Sequence, residues 1–210
     1  LYWDTKAEES VDPLTGLKDF LGYKVFRSRD YTFSDIYTIT DARGNPTLAP
    51  AFVNPETGES AQWHLPIDAN TYPNGYHPVE MPGLGVKYFV GDPADTRGLK
   101  HEFVDSSVTN GVTYYYAVVA YDNGWIEAGN ELAPTENKAI IRKDAITGVL
   151  KYEANTGVVT PNPLGLGVID ADAGVGGNPQ PAAGVSSTGT VYVKVLNDLV
   201  VPDNKLYSID

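Results

Sequence analysis

The chain has 210 residues, 42% hydrophobic and 20% charged, so it can hold one generous packed domain or one domain and part of another. Its formal net charge of −12 argues against DNA or RNA as a partner, and the lack of cysteine excludes disulfides and thiolate metal sites. No run approaches the roughly 18 apolar residues of a membrane helix, which argues against membrane insertion.

With 14 tyrosines, 21 glycines and 15 prolines against one methionine, the composition is that of strands and turns. An all-β fold with little helix is expected. The opening "LYWD" reads as the end of a strand already under way, consistent with a processed product or an excerpt of something longer. An acidic loop, "TKAEESVDPLTGLKD", leads into "FLGYKVFRSRD", where Tyr23 and Val25 share one face and Lys24 and Phe26 the other. "DIYTIT" is a shorter strand candidate, ended by the turn "DARGNP".

Residues 41–98 hold many prolines and aromatics without a sustained period, and read as a long ordered excursion containing the strand "VKYFVG". "KHEFVD" alternates again and leads through "SSVTNG" into "TYYYAVVAYDNG". There Tyr114, Tyr116, Val118 and Ala120 share one face, and Tyr115, Ala117, Val119 and Tyr121 the other. Both faces are apolar, as in a central strand covered on both sides. "NKAIIRKD" supplies a further strand. From about 149 to 189 Gly, Pro, Ala, Asn and Asp dominate, the composition of a linker or arm. "TVYVKVLNDLVV" then alternates again, and 190–210 reads as a β-hairpin that begins a second module or lends a strand to a neighbour.

The pattern Asn-Gly-x-Thr followed by Tyr-x-x-x-Val-x-Ala, at residues 110–120, resembles strand F of the fibronectin type III domain, an immunoglobulin-like β-sandwich. The resemblance implies that Tyr114 bonds back to the corner before it and that Trp3 is a core tryptophan. By the same likeness "LYW" is the end of strand B, "GYKVFRS" strand C, "IYTIT" strand C′, "HEFVDSSV" strand E and "NKAIIRKD" strand G. The combination is similar to a variant frequent in large secreted or cell-surface proteins of Gram-negative bacteria. It implies a sandwich over 1–148 with an insertion at about 41–98.

Asp4, Glu8, Asp12 and Asp19 lie in one loop, either solvated or, with backbone carbonyls, forming an oxygen cage for Ca²⁺. Asp92 and Asp95 in "GDPADTRG" are a weaker pair of the same kind. Trp63, Trp125 and Tyr76 fall in expected loops, where exposed rings would stack on carbohydrate, or else pack the insertion onto the sandwich. His64, His77 and His101 show neither metal nor triad spacing. No catalytic residues are signalled and no cofactor is required, with Ca²⁺ the one candidate ion. The resulting expectation is a non-enzymatic structural or interaction module of an extracellular or cell-surface bacterial assembly. Its partners would be neighbouring modules or copies of itself, linked into a filament by strand exchange; the alternative is a carbohydrate-binding or adhesion module on a larger secreted protein.

Overall fold

A computed structural model describes residues 1–162 apart from 14, 38, 41–45 and 128–130, and gives the backbone alone for 39–40 and 46–47. The "DARGN" turn, the arm beyond 162 and the hairpin expected at 190–210 lie outside the described residues.

Among the described residues ten strands run in the order β1 (Phe20–Ser28), β2 (Ile39–Thr40), β3 (Pro46–Leu48), β4 (Gln62–His64), β5 (Tyr76–Glu80), β6 (Lys87–Phe89), β7 (Tyr114–Asp122), β8 (Ile141–Lys143), β9 (Leu150–Tyr152) and β10 (Thr156–Val159). The described residues contain two 3₁₀ turns, Lys6–Glu9 and Pro73–Gly75, and no α-helix. Accordingly, none of their helices is long and apolar enough to cross a membrane. One four-stranded antiparallel sheet has the order β10-β7-β1-β4, and β2–β3, β5–β6 and β8–β9 form separate antiparallel pairs. The fold is all-β.

The long pair β1–β7 is the backbone of the molecule, with Tyr23 opposite Ala120, Val25 opposite Val118 and Arg27 opposite Tyr116. Because successive side chains alternate, each strand offers one apolar row to each face. On the first face Val25, Tyr114 and Tyr116 pack with Trp63 against Trp3, Phe52 and Phe103, and Tyr23 meets the Trp3 ring edge-on. On the second, Phe26, Ala117 and Val119 meet Phe33, Ala49 and Ile141. Further along that face Leu21 and Tyr121 meet Tyr72, Tyr88 and Val90. The central strand is therefore covered along its second face and, on the first, over Tyr114 and Tyr116. Each large ring so buried contributes roughly 1.5–3 kcal/mol.

Part of the first-face cover is a narrow ribbon made by residues 1–3 and 101–103. Tyr2 is bridged to Glu102, the Trp3 N–H donates to the His101 carbonyl at 3.1 Å, and the Phe103 N–H donates to the Leu1 carbonyl at 3.0 Å. The corner ahead of β7 is fixed by Tyr114, whose hydroxyl accepts the Thr109 N–H at 3.0 Å. Gly111, with φ of +80°, supplies the left-handed residue that this turn requires. Close approach demands glycine once more, at Gly22, where a Cβ would lie 2.3 Å from the Trp63 carbonyl of β4.

Two sequence-based assignments change. The neighbour of β1 is β4, from the 41–98 segment, whereas the described strand within "IYTIT" is Ile39–Thr40, paired with β3 after a run of turns. Ahead of it the chain is held in turns, because the Asp35 carboxylate accepts from the Ser28 hydroxyl and the Arg29 N–H. "NKAIIRKD" hydrogen-bonds to β7 at Asn137, which exchanges bonds with Ala120 just after Glu136 bridges Tyr121, and then pairs with β9 as β8 while Ile141 still packs on Ala117 and Val119. The rest of that border of β7 is taken by β10, and the compact unit runs from Leu1 to Asn162. The outer border of β4 is blocked by Arg97, held by Asp95, whose guanidinium donates to the Ser60 and Gln62 carbonyls at 3.1 and 3.0 Å.

Asp105 ties the 101–107 segment to both long strands. Its carboxylate accepts from Arg27 at 2.8 Å and from the Tyr116 hydroxyl at 2.7 Å, and its other oxygen accepts from the Ser107 N–H and hydroxyl. Burial alone would raise this carboxyl, but the Tyr116, Ser107 and Arg27 donors outweigh it and hold the group below its ordinary 3.8. A depressed carboxyl contributes stability that is present above the unfolded value and lost as pH falls through the folded one. Asp105→Asn is expected to cost about 1.5–3 kcal/mol in urea unfolding at neutral pH. The gap between parent and variant should close as pH falls below 3.8.

Candidate functional site

The ribbon roofs only part of the first face. Tyr114 and Tyr116 are buried, while Val118 and Ala120, the next residues of the same row, are half-exposed. Over them lies an open groove of about 820 Å³. Tyr116, Val118, Ala120 and Gly157 are at its base, Tyr2, Trp3 and the loop to Pro13 on one side, and Ala154–Thr156 on the other. Its sheet is braced there by Asn155, whose backbone carbonyl accepts the Val118 N–H at 2.9 Å and whose amide donates to the Val118 carbonyl at 3.1 Å.

Asp12, Asp19 and Asp122 stand at one end of this groove, each offering a carboxylate oxygen within 4.8 Å of the others. Asp12 accepts the Thr15 N–H at 2.9 Å, and Asp122 closes β7 by accepting the Gly124 N–H and both the N–H and hydroxyl of Thr135. Burial first, then the charges of Asp122 and Asp12, push the Asp19 carboxyl up. Three carboxylate oxygens are a partial set for a hard cation, which takes six to eight oxygens in the case of Ca²⁺. Of the four acidic residues expected to act together, only Asp12 and Asp19 meet. Asp4 pairs with Lys6 at 2.8 Å, and Glu8 accepts from His101 at 2.5 Å and from the Tyr23 hydroxyl at 3.1 Å. Asp122 was invisible as a partner because it ends a strand far along the chain. Asp95 is engaged by Arg97 and Asp92 accepts the Ala94 N–H.

The three aromatic residues expected to form a sugar platform do not assemble. Trp63 is in β4 rather than a loop, 4% exposed, with ring centroids 5.9 Å from Trp3 and 6.0 Å from Phe103. It is core, because β4 docks on β1 and both of its faces are covered. Tyr76 is exposed and meets Phe89 edge-on at 5.2 Å on the β5–β6 pair. Trp125 is half-buried, exchanges backbone hydrogen bonds with Leu132, and donates its indole N–H to Glu127 at 3.1 Å. Tyr72 and Tyr88 are buried in the second-face core, where they fasten the insertion to the sheet.

His64 and His77 are buried apart from each other, each with Nε2 lacking a hydrogen-bond partner, and His64 presses against Gly91. Lys24 is the most enclosed cation described. Its ammonium donates to the Tyr88 hydroxyl at 2.7 Å and to Glu136 at 3.3 Å, and lies 4.1 Å from the Tyr88 ring centroid. The Tyr88 hydroxyl donates to Glu136 at 2.5 Å. Desolvation pulls the Lys24 ammonium down against the pull of Glu136, and pushes the Tyr88 phenol well up. A desolvated lysine can serve as a nucleophile where substrate reaches it, but Lys24 is sealed in the interface between β1 and the insertion.

Compared with known protein families, curated proteins and solved structures, the chain matches none. What the geometry offers is an open apolar groove with an acidic end, while its buried titratable groups are closed off from solvent.

Two substitutions test these assignments. Lys24→Met leaves Glu136 without its cation and is expected to cost about 3 kcal/mol in denaturant unfolding, most of it regained in Lys24→Met/Glu136→Gln. Asp19, whose folded value is raised, adds stability only below the unfolded 3.8 and loses it as pH rises through the folded value. With a chelator present, Asp19→Asn is therefore expected to raise the thermal midpoint at neutral pH, the gain vanishing below pH 3.8.

Proposed function

We propose that the chain is a structural and interaction module of an extracellular or cell-surface bacterial assembly, built as a fibronectin type III-like sandwich. It works through protein contacts, and strand exchange between copies is its means of linkage. One observation carries this reading: the apolar row of β7 continues to Val118 and Ala120 after its roof has ended. A face of that kind is completed by a partner. The likeness to the fibronectin sandwich is supported by the β1–β7 pair at the middle of the larger sheet, by the Tyr114 hydroxyl that ties the corner, and by Trp3 packed over Trp63 and Tyr23. Against enzymatic chemistry stand the sealed Lys24–Tyr88–Glu136 set and the separated histidines.

A carbohydrate-binding or adhesion role is the second reading, favoured by the exposed Tyr76–Phe89 pair. Light scattering of the full chain over a concentration series, run beside a glycan array, separates the two. The structural module is expected to self-associate with rising concentration and to show no saturable sugar binding. A chain that stays monomeric and binds a glycan, with binding lost in Tyr76→Ala, would replace the first reading with the second.

A further inference from the structure

We infer that the groove beside Tyr2 and Trp3 accepts one extended strand, and that its occupant is the segment 190–196 of a second copy of the chain. The inference rests on the protein-contact reading above and assigns it a site and a ligand.

The main chain at the groove's side is set to receive a strand. Tyr2 faces Glu102 between two hydrogen bonds made by its neighbours, from Trp3 N–H to the His101 carbonyl and from Phe103 N–H to the Leu1 carbonyl. In an antiparallel ladder this arrangement turns the N–H and C=O of Tyr2 away from Glu102, toward the outer side. The Tyr2 side chain is 65% exposed. Below that border, Val118, Ala120 and Gly157 make a shallow apolar base. From Tyr116 to Asp122 the base is six steps of strand long, about 20 Å, which matches an added strand of seven residues.

The sequence of the occupant fits that place. "TVYVKVL", residues 190–196, puts Val191, Val193 and Val195 on one face, small branched side chains suited to a base of Val, Ala and Gly. Charge agrees as well. The groove is bordered by Asp4, Asp12, Asp19, Asp122 and Glu136 against one cation, Lys6, which pairs with Asp4, whereas residues 190–196 carry no acid and one cation, Lys194. Residues 163–189 put 27 positions between Asn162 and the segment, at most about 90 Å if fully extended, so a neighbouring molecule is within the chain's contour length.

Because the chain has no cysteine, single-cysteine variants of the full chain report the contact directly. An oxidised equimolar mixture of Ala120→Cys and Val193→Cys is expected to give a disulfide-linked pair on a denaturing gel beyond that of either variant alone. Gly157→Cys, at a position where an added Cβ meets nothing within 4 Å, is the second acceptor probe should Ala120→Cys fold poorly. Val193→Asp, which would bury an unpaired charge, is expected to weaken self-association about a hundredfold or more by light scattering. If the mixture does not link while the doubly substituted Ala120→Cys/Val193→Cys chain closes on itself, the occupant is the chain's own segment and the second-copy assignment falls. Self-association unchanged by Val193→Asp, without cross-linking, overturns the groove while leaving the protein-contact reading intact. A strictly monomeric chain that forms neither cross-link overturns both.

Discussion

A sheet that is apolar on both faces has to be covered twice, and that constraint organises the whole described chain. β1 and β7 supply rows of aromatic and β-branched side chains to each side, and neither row tolerates water. On the second face the cover is drawn from the long segment between β1 and β7, whose Ala49, Tyr72, Tyr88 and Val90 lie against the sheet. The apparent excursion is thus a substantial part of the core. It also returns a strand, β4, to the sheet it covers.

Lys24 shows what this arrangement asks of polar groups. A lysine in the middle of β1 would be costly under an apolar cover, yet Tyr88 and Glu136 arrive from two other parts of the chain to receive its ammonium. Gln62 does the same for Tyr121, donating to its hydroxyl at 2.9 Å and to the Val90 carbonyl at 3.1 Å. These contacts fix which loop lies on which strand, since a shifted insertion would leave a charge or a phenol without a partner. The interior is therefore specific, and closed. The largest described opening is on the first face, where the ribbon ends early and the acidic residues collect.

β1 and β7 were legible because nine-residue runs of alternating apolar side chains leave a clear period. The Tyr114 corner was legible too, because turn chemistry and a tyrosine at a strand start fall within a few residues. β4 and β10 were not. "QWH" and "TGVV" are three and four residues long, and their pairing partners are chosen by tertiary contact rather than by any local period. Trp63 was misplaced for the same reason, since its loop-like flanks hide a strand buried on both sides. The acidic cluster shows a third kind of limit. Asp12 and Asp19 share a loop and could be grouped from sequence, whereas Asp122 joins them only because β7 runs antiparallel beside β1 and ends where β1 begins.

The guanidinium of Arg97 closes the β4 border by occupying the carbonyls of Ser60 and Gln62. Among the described residues the opposite border, β10, has no strand neighbour. A sheet with one sealed margin cannot be handed on laterally from molecule to molecule, which is the route from exposed strands to insoluble fibre. Two copies meeting at their open margins would stop at a pair, so any longer series of copies would have to be joined through the faces of the sheet.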